Sequence, residues 1–133
     1  MSLIRPIQPQ DFDQWKLLWD GYAAFYNRVG PSAVPIEITQ TTWQRFLDPS
    51  EPMCALVAES EGSVVGLTHY LFHRNTNQMA YDCYLQDLFT NPIARGKGIG
   101  KSLIFAVCEK AKEKGSSRIY WHTHEGNEVA RGL

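Results

Sequence analysis

Residues 84–101, YLQDLFTNPIARGKGIGK, constrain the fold more than any other stretch of the chain. Tyr84, Leu85, Leu88 and Phe89 supply the apolar residues of a strand, and Asn91-Pro92 marks its end because proline has no N–H to give to a ladder. Gly96, Gly98 and Gly100 follow at alternate positions. Lacking a Cβ, glycine adopts positive φ freely and lets consecutive N–H groups approach a ligand that a side chain would hold away. Leu103, Ile104, Val107, Cys108 and Ala111 then recur at helical spacing, so the turn opens into a helix whose free first-turn amides attract anions. Arg95, Lys97 and Lys101 surround the turn and no carboxylate does. Together these features predict a phosphate cradle.

Two familiar phosphate loops do not fit. A P-loop would need glycine at position 95, ahead of Gly100-Lys101-Ser102, and arginine stands there. A dinucleotide fingerprint needs G-x-G-x-x-G, whereas the glycines here fall at 96, 98 and 100, with no acidic residue at the end of a second strand some twenty positions on.

The rest of the chain reads as a single domain over residues 1–133, with 44% hydrophobic residues to fill one core. A net charge of -1 leaves no footprint for nucleic acid or an anionic membrane, and no apolar run approaches membrane-spanning length. Cys54, Cys83 and Cys108 lack C-x-x-C spacing and sit in apolar patterns, so buried reduced thiols and a cytoplasmic location are expected. Residues 3–7 predict a first strand, and Pro9 suits the start of a helix running to about residue 27. Phe12, Trp15, Leu18, Trp19, Tyr22, Phe25 and Tyr26 form its apolar stripe and read as core, with Tyr22 and Tyr26 as alternative lining for an acceptor pocket. A second helix is predicted over 38–47, with Trp43, Phe46 and Leu47 as its buried face, ended by Asp48-Pro49. Strands follow over 53–59, 64–72 and 79–90, then the loop helix over about 98–114, closed by Gly115, and a fifth strand over 118–123. His69 and His73 share one side of a strand at a separation too large for a common metal, and read as surface or half-buried histidines. His122 and His124 have no third ligand at telling spacing, so no metal site is expected.

The run Arg95-Gly96-Lys97-Gly98-Ile99-Gly100 resembles the R/Q-x-x-G-x-G/A pyrophosphate loop of the GNAT superfamily of N-acetyltransferases, and the preceding strand, Asn91-Pro92 and the following helix stand in that family's order. The resemblance implies an α/β fold, with a mixed, mainly antiparallel sheet flanked by helices, that binds acetyl-coenzyme A. It assigns the cofactor to Leu88, Phe89 and Thr90, whose amides would hold the pantetheine arm like an added strand with the Phe89 side chain turned away, and to Arg95, Gly96, Lys97, Gly98, Ile99, Gly100 and Lys101. Residues 127–133 resemble the start of the family's last helix, in which the asparagine, here Asn127, contacts coenzyme A. Family members continue with two further strands and, in many, a tyrosine acid seven residues after that asparagine. Against that pattern the chain reads as a C-terminally incomplete GNAT domain lacking the last two strands, which exposes the fifth strand and predicts a homodimer or segment exchange around it.

The activity implied is transfer of an acetyl group to a primary amine of a small molecule by direct attack, with no nucleic-acid or membrane partner. Leu88 is the expected backbone donor to the developing oxyanion. Tyr84-Leu85-Gln86-Asp87-Leu88-Phe89 is similar to the Y-x-E-D-F-F stretch of the diamine (spermidine/spermine) acetyltransferase branch, which suggests a polyamine-like acceptor. Gln86 replaces that branch's glutamate and has no useful basicity. Asp87 is therefore the expected catalytic carboxylate, ahead of Asp82, which matches the base position of the histone-acetylating branch. In the family the segment between the first two helices helps form the acceptor site, and there Glu37 is the candidate contact for a cationic acceptor. The competing function is a coenzyme A-binding module with little or no catalysis.

Overall fold

The computed structural model describes residues 2–25, 34–94, 96–116 and 118–121. Strand β1 (Ser2–Pro6) leads through a single 3-10 turn, Pro9–Asp11, into helix α1 (Phe12–Phe25), and helix α2 spans Ile36–Leu47. Strands β2 (Met53–Ser60), β3 (Ser63–Asn75) and β4 (Gln78–Thr90) follow, then a short 3-10 turn, helix α3 (Ile99–Lys114) and strand β5 (Arg118–Tyr120). The sheet runs in sequence order, antiparallel from β1 to β4, with β5 parallel to β4. A parallel pair needs a crossover, and α3 provides it.

Alternation along β2 shows how the two faces are filled. Ala55 and Val57 join Trp15, Trp19, Tyr22 and Trp43 in a core under α1 and α2, while Leu56 and Ala58 join Leu103, Ile104, Val107 and Ala111 of α3 on the other face. Trp15, Leu18, Trp19 and Tyr22 of the aromatic stripe of α1 are core, as their spacing predicts, with Phe12 packed against them and Tyr22 edge-on to Phe89 at 6.0 Å between ring centroids. Arg5 ties the start of the chain to the sheet, donating to both carboxylate oxygens of Asp11 at 2.8 and 3.0 Å and to Glu59 at 2.8 and 3.0 Å. The guanidinium hydrogen bonds hold the Asp11 carboxyl below its ordinary range.

The strand and helix predictions hold in type and order. The ends differ by up to three residues: β3 runs on to Asn75 rather than ending at 72, and Pro9–Asp11 form a 3-10 turn before α1 begins at Phe12. The fifth strand is shorter than expected, because pairing with β4 covers only Arg118–Tyr120. His69 corrects the reading of a surface or half-buried histidine: it is 2% exposed, among the most deeply buried side chains described, while His73 is half-buried. Tyr26, Arg95, His122, His124 and Asn127 lie outside the described residues.

Candidate active site

The site is built at the end of β4, and a one-residue irregularity in that strand decides what it contains. Tyr70 pairs with Leu85 and His69 with Asp87, so Gln86 is an extra residue with no opposite number on β3. A bulge of this kind reverses the alternation beyond it. Cys83 and Leu85 belong to the core under α3, and regular alternation would send Asp87 there too. With the bulge, Asp87 turns to the α1 side beside Phe89, where His69 meets it, and Gln86 is left exposed. The Thr68 hydroxyl donates to the Asp87 carbonyl at 2.8 Å and secures the irregular segment.

The same register gives the direction of the backbone groups. The Asn91 N–H donates to the Val65 carbonyl at 2.8 Å. Counting back by two, Phe89 and Asp87 also face β3, so Leu88 and Thr90 aim their N–H and C=O groups at the opposite edge. On that edge β5 pairs with Asp82, Cys83 and Tyr84. From Leu85 to Leu88 it has no strand partner among the described residues. The side chain of Phe89 is core. Of the three amides assigned to the pantetheine arm, those of Leu88 and Thr90 face away from β3.

The turn below this edge has the expected backbone. Gly96 and Gly98 have φ of 85° and 74°, values that L side chains rarely adopt, and a Cβ added to either would meet nothing within 4 Å. Gly98 caps α3 without a side-chain hydrogen bond, and the first turn of the helix carries no acid. Ile99 is buried, Gly100 is half-buried beside Thr90, and Lys97 and Lys101 are exposed. Gly66 on β3 sets the helix height: a Cβ there would lie 3.1 Å from Ile99 and 3.2 Å from Leu103. Its absence lets the first turn of α3 press onto the sheet next to β4.

Three side chains form a buried chain on the α1 side. The Trp15 indole Nε1 lies 3.0 Å from His69 Nε2, and His69 Nδ1 lies 2.9 Å from Asp87 Oδ2. Oδ1 of Asp87 receives no hydrogen bond from a described residue, and the side chain keeps 11% of its accessibility. Asp82, by contrast, is enclosed. It accepts from Asn75 at 3.1 Å, from the Gln78 amide and from Arg118 at 2.9 Å, and the Asn75 hydrogen bond, then Arg118, hold its carboxyl below the ordinary range against the cost of burial. Tyr84 stacks on Tyr120 at 5.0 Å between the two aspartates, its hydroxyl pushed up by burial and by the Asp87 charge. Glu37 is exposed in the first turn of α2. Among the described residues no cluster of His, Cys, Asp and Glu could hold a metal, and no helix is long and apolar enough to cross a membrane.

The model of the acetyltransferase (GNAT) family matches residues 15–133. The chain belongs to this family. A GNAT enzyme is an acetyl-coenzyme A-dependent N-acetyltransferase, and the uncapped amides and open space at Gly96 and Gly98 suit the phosphates of that cosubstrate. Over 133 residues, 98% of this chain and 80% of its own length, the D-amino-acid N-acetyltransferase HPA3 of Saccharomyces cerevisiae is 35% identical. The thialysine N-epsilon-acetyltransferase of Mus musculus is 35% identical over 78 residues, 56% of this chain and 44% of that protein. The GNAT fold recurs in the aminoglycoside N-acetyltransferase AAC(6')-Iy, solved in complex with CoA, at a TM-score of 0.80 and 18% identity, covering 99% of this chain and 83% of that one.

Sequence reasoning missed His69 and Trp15. Each looks ordinary locally, a histidine in a strand and a tryptophan in an aromatic helix stripe. The available signal was their coincidence with Asp87 on one side of the sheet, visible only once the bulge at Gln86 is known.

Proposed function

We propose that this GNAT enzyme acetylates a primary amine on a small molecule, with Asp87 receiving the proton of the acceptor ammonium and the Leu88 N–H donating to the oxygen that gains negative charge. The observation that carries the reading is the pairing of a nearly buried carboxylate, one oxygen of which is free of described donors, with an amide one residue away aimed at an edge that has no strand partner among the described residues. At neutral pH an alkylamine of pKa about 10.4 is only ~0.1% unprotonated, a deficit of about 4 kcal/mol that a positioned base helps to supply. Bound acetyl-coenzyme A supplies an activated acyl group. The amides of Gly98, Ile99 and Gly100, with Lys97, Lys101 and Arg95, would hold its phosphates, Leu88 and Thr90 its pantetheine arm, and Asn127 would add a contact. Fixed dipoles at a water-poor edge act on developing charge more strongly than solvent does.

The acceptor class draws support from two kinds of observation. The relatives named for D-amino acids and thialysine act on small amines, and Tyr84, Asp87 and Phe89 stand in the pattern of the diamine branch, with Gln86 in place of its glutamate. A carboxylate at the site favours a cationic acceptor, so polyamines and basic amino acids come first. The free thiols of Cys54, Cys83 and Cys108 support a reducing, cytoplasmic location. The short edge strand β5 supports a homodimer built around residues 118–123 and 127–133, for which sedimentation at micromolar concentration is the check.

A thiol-release assay with acetyl-coenzyme A and a panel of polyamines, D- and L-amino acids, thialysine, aminoglycosides and peptides tests the proposal. Turnover concentrated on small primary amines is expected. Turnover on peptides alone, or on none of the amines, would contradict it.

A further inference from the structure

We propose that His69, locked by Trp15, is a positioning residue that fixes the Asp87 carboxylate and leaves Oδ1 as its proton-accepting oxygen. The inference rests on the reading of Asp87 given above. An indole N–H can only donate, so the 3.0 Å contact requires an unprotonated Nε2 on His69. The ring proton therefore sits on Nδ1 and is donated to Asp87 Oδ2 at 2.9 Å. The ring has little room to turn: it is 2% exposed, with the Phe46 centroid at 4.4 Å, Trp19 at 5.3 Å and Trp15 at 5.8 Å. The neighbours that face it come from α1 (Trp15, Trp19), α2 (Phe46) and β4 (Asp87).

This arrangement orients without shuttling. When the acceptor N–H bond breaks, the electron pair stays on nitrogen and the proton forms an O–H bond on Asp87 Oδ1. It cannot pass inward, because taking it up at Nε2 would set an N–H of His69 against the indole N–H. A carboxylate otherwise free to rotate about its terminal torsion is held with one oxygen spent and the other presented. A histidine serving only as filler would need neither its indole donor nor its single tautomer.

The test combines a spectroscopic readout with kinetics on the full chain. In the wild type at neutral pH, ring ¹⁵N signals of His69 should show the Nδ1–H tautomer. Trp15→Phe removes the donor to Nε2, so a share of the His69 rings should carry a proton there in the ¹⁵N spectrum. His69→Leu should lower kcat by roughly 10- to 100-fold with coenzyme A affinity unchanged, and His69→Asn, whose amide can stand where Nδ1 stood, should restore most of that loss. A wild-type ring that carries a proton on Nε2 overturns the proposal even if the leucine variant fails to fold. A folded His69→Leu enzyme with wild-type kcat, beside an inactive Asp87→Asn enzyme, also overturns it while leaving the role of Asp87 standing. An active Asp87→Asn enzyme instead removes the reading beneath it.

Discussion

Strand β4 carries two buried aspartates on one face, and its two halves treat them in opposite ways. In the first half, where β5 pairs with β4, Asp82 collects Asn75, Gln78 and Arg118, a saturated and partly cationic set. In the second half, past the bulge at Gln86, Asp87 meets one neutral partner on Oδ2 and none described on Oδ1. Burial is nearly the same, 0% exposure against 9%, and so does not separate the roles. The difference is in spare lone pairs. A carboxylate already accepting from every side ties strands together, whereas one held by a single oxygen can still take a proton.

Exchanging each carboxylate for its amide breaks the comparison most sharply. Asp87→Asn should lower kcat/KM for the amine by roughly 10²- to 10⁴-fold, the usual contribution of a positioned base, with little change in melting temperature. Asp82→Asn should do the reverse, lowering the melting temperature while the folded enzyme keeps its rate within about threefold. Steady-state kinetics and thermal melts on both proteins decide this, and equal kinetic losses would erase the distinction between the halves of β4.

A second, smaller effect separates the loop from the carboxylates. Gly98→Val should weaken coenzyme A binding by about 100-fold in calorimetry, because a branched side chain would stand where phosphate oxygens meet amides. Nothing within the fold lies near that Cβ, so the stability loss should be limited to the strain of positive φ, about 1–2 kcal/mol. A folded variant with unchanged affinity would remove the loop from the site.

The smallest effect is in acid stability. The folded Asp82 carboxyl is held below its ordinary range, so its contribution is fully present above about pH 4, the unfolded carboxylate value, and is lost as pH falls through the lower folded value. Urea midpoints of the wild type should therefore drop on acidification below pH 4, and those of Asp82→Asn should drop less. Arg118→Met should lower stability only slightly, since that guanidinium is half-exposed and its ion pair is screened.

Much of this was legible in the chain itself, for identifiable reasons. Gly96 and Gly98 announced their turn because positive φ leaves few alternatives to glycine, and Leu103, Ile104 and Val107 announced α3 through their period. The contrast between Asp82 and Asp87 was not legible. It depends on Arg118, 36 residues from Asp82, and on Trp15, 54 residues from His69, contacts that no local pattern encodes. The bulge at Gln86 was hidden as well, since Tyr84 to Phe89 read equally well as an uninterrupted strand. It is an inserted residue of this kind that sent Asp87 to the α1 side.

We propose that the cosubstrate lies along the half of β4 past the bulge and the N-terminus of α3, and a titration of coenzyme A into ¹⁵N-labelled protein tests that placement most directly. The largest amide shifts should fall on Leu88, Thr90, Gly96, Gly98, Ile99 and Gly100, with Asp82, Cys83 and the first turn of α2 little affected. Shifts centred instead on the paired half of β4 or on α2, with the amides of Leu88 and Gly98 unmoved, would contradict it.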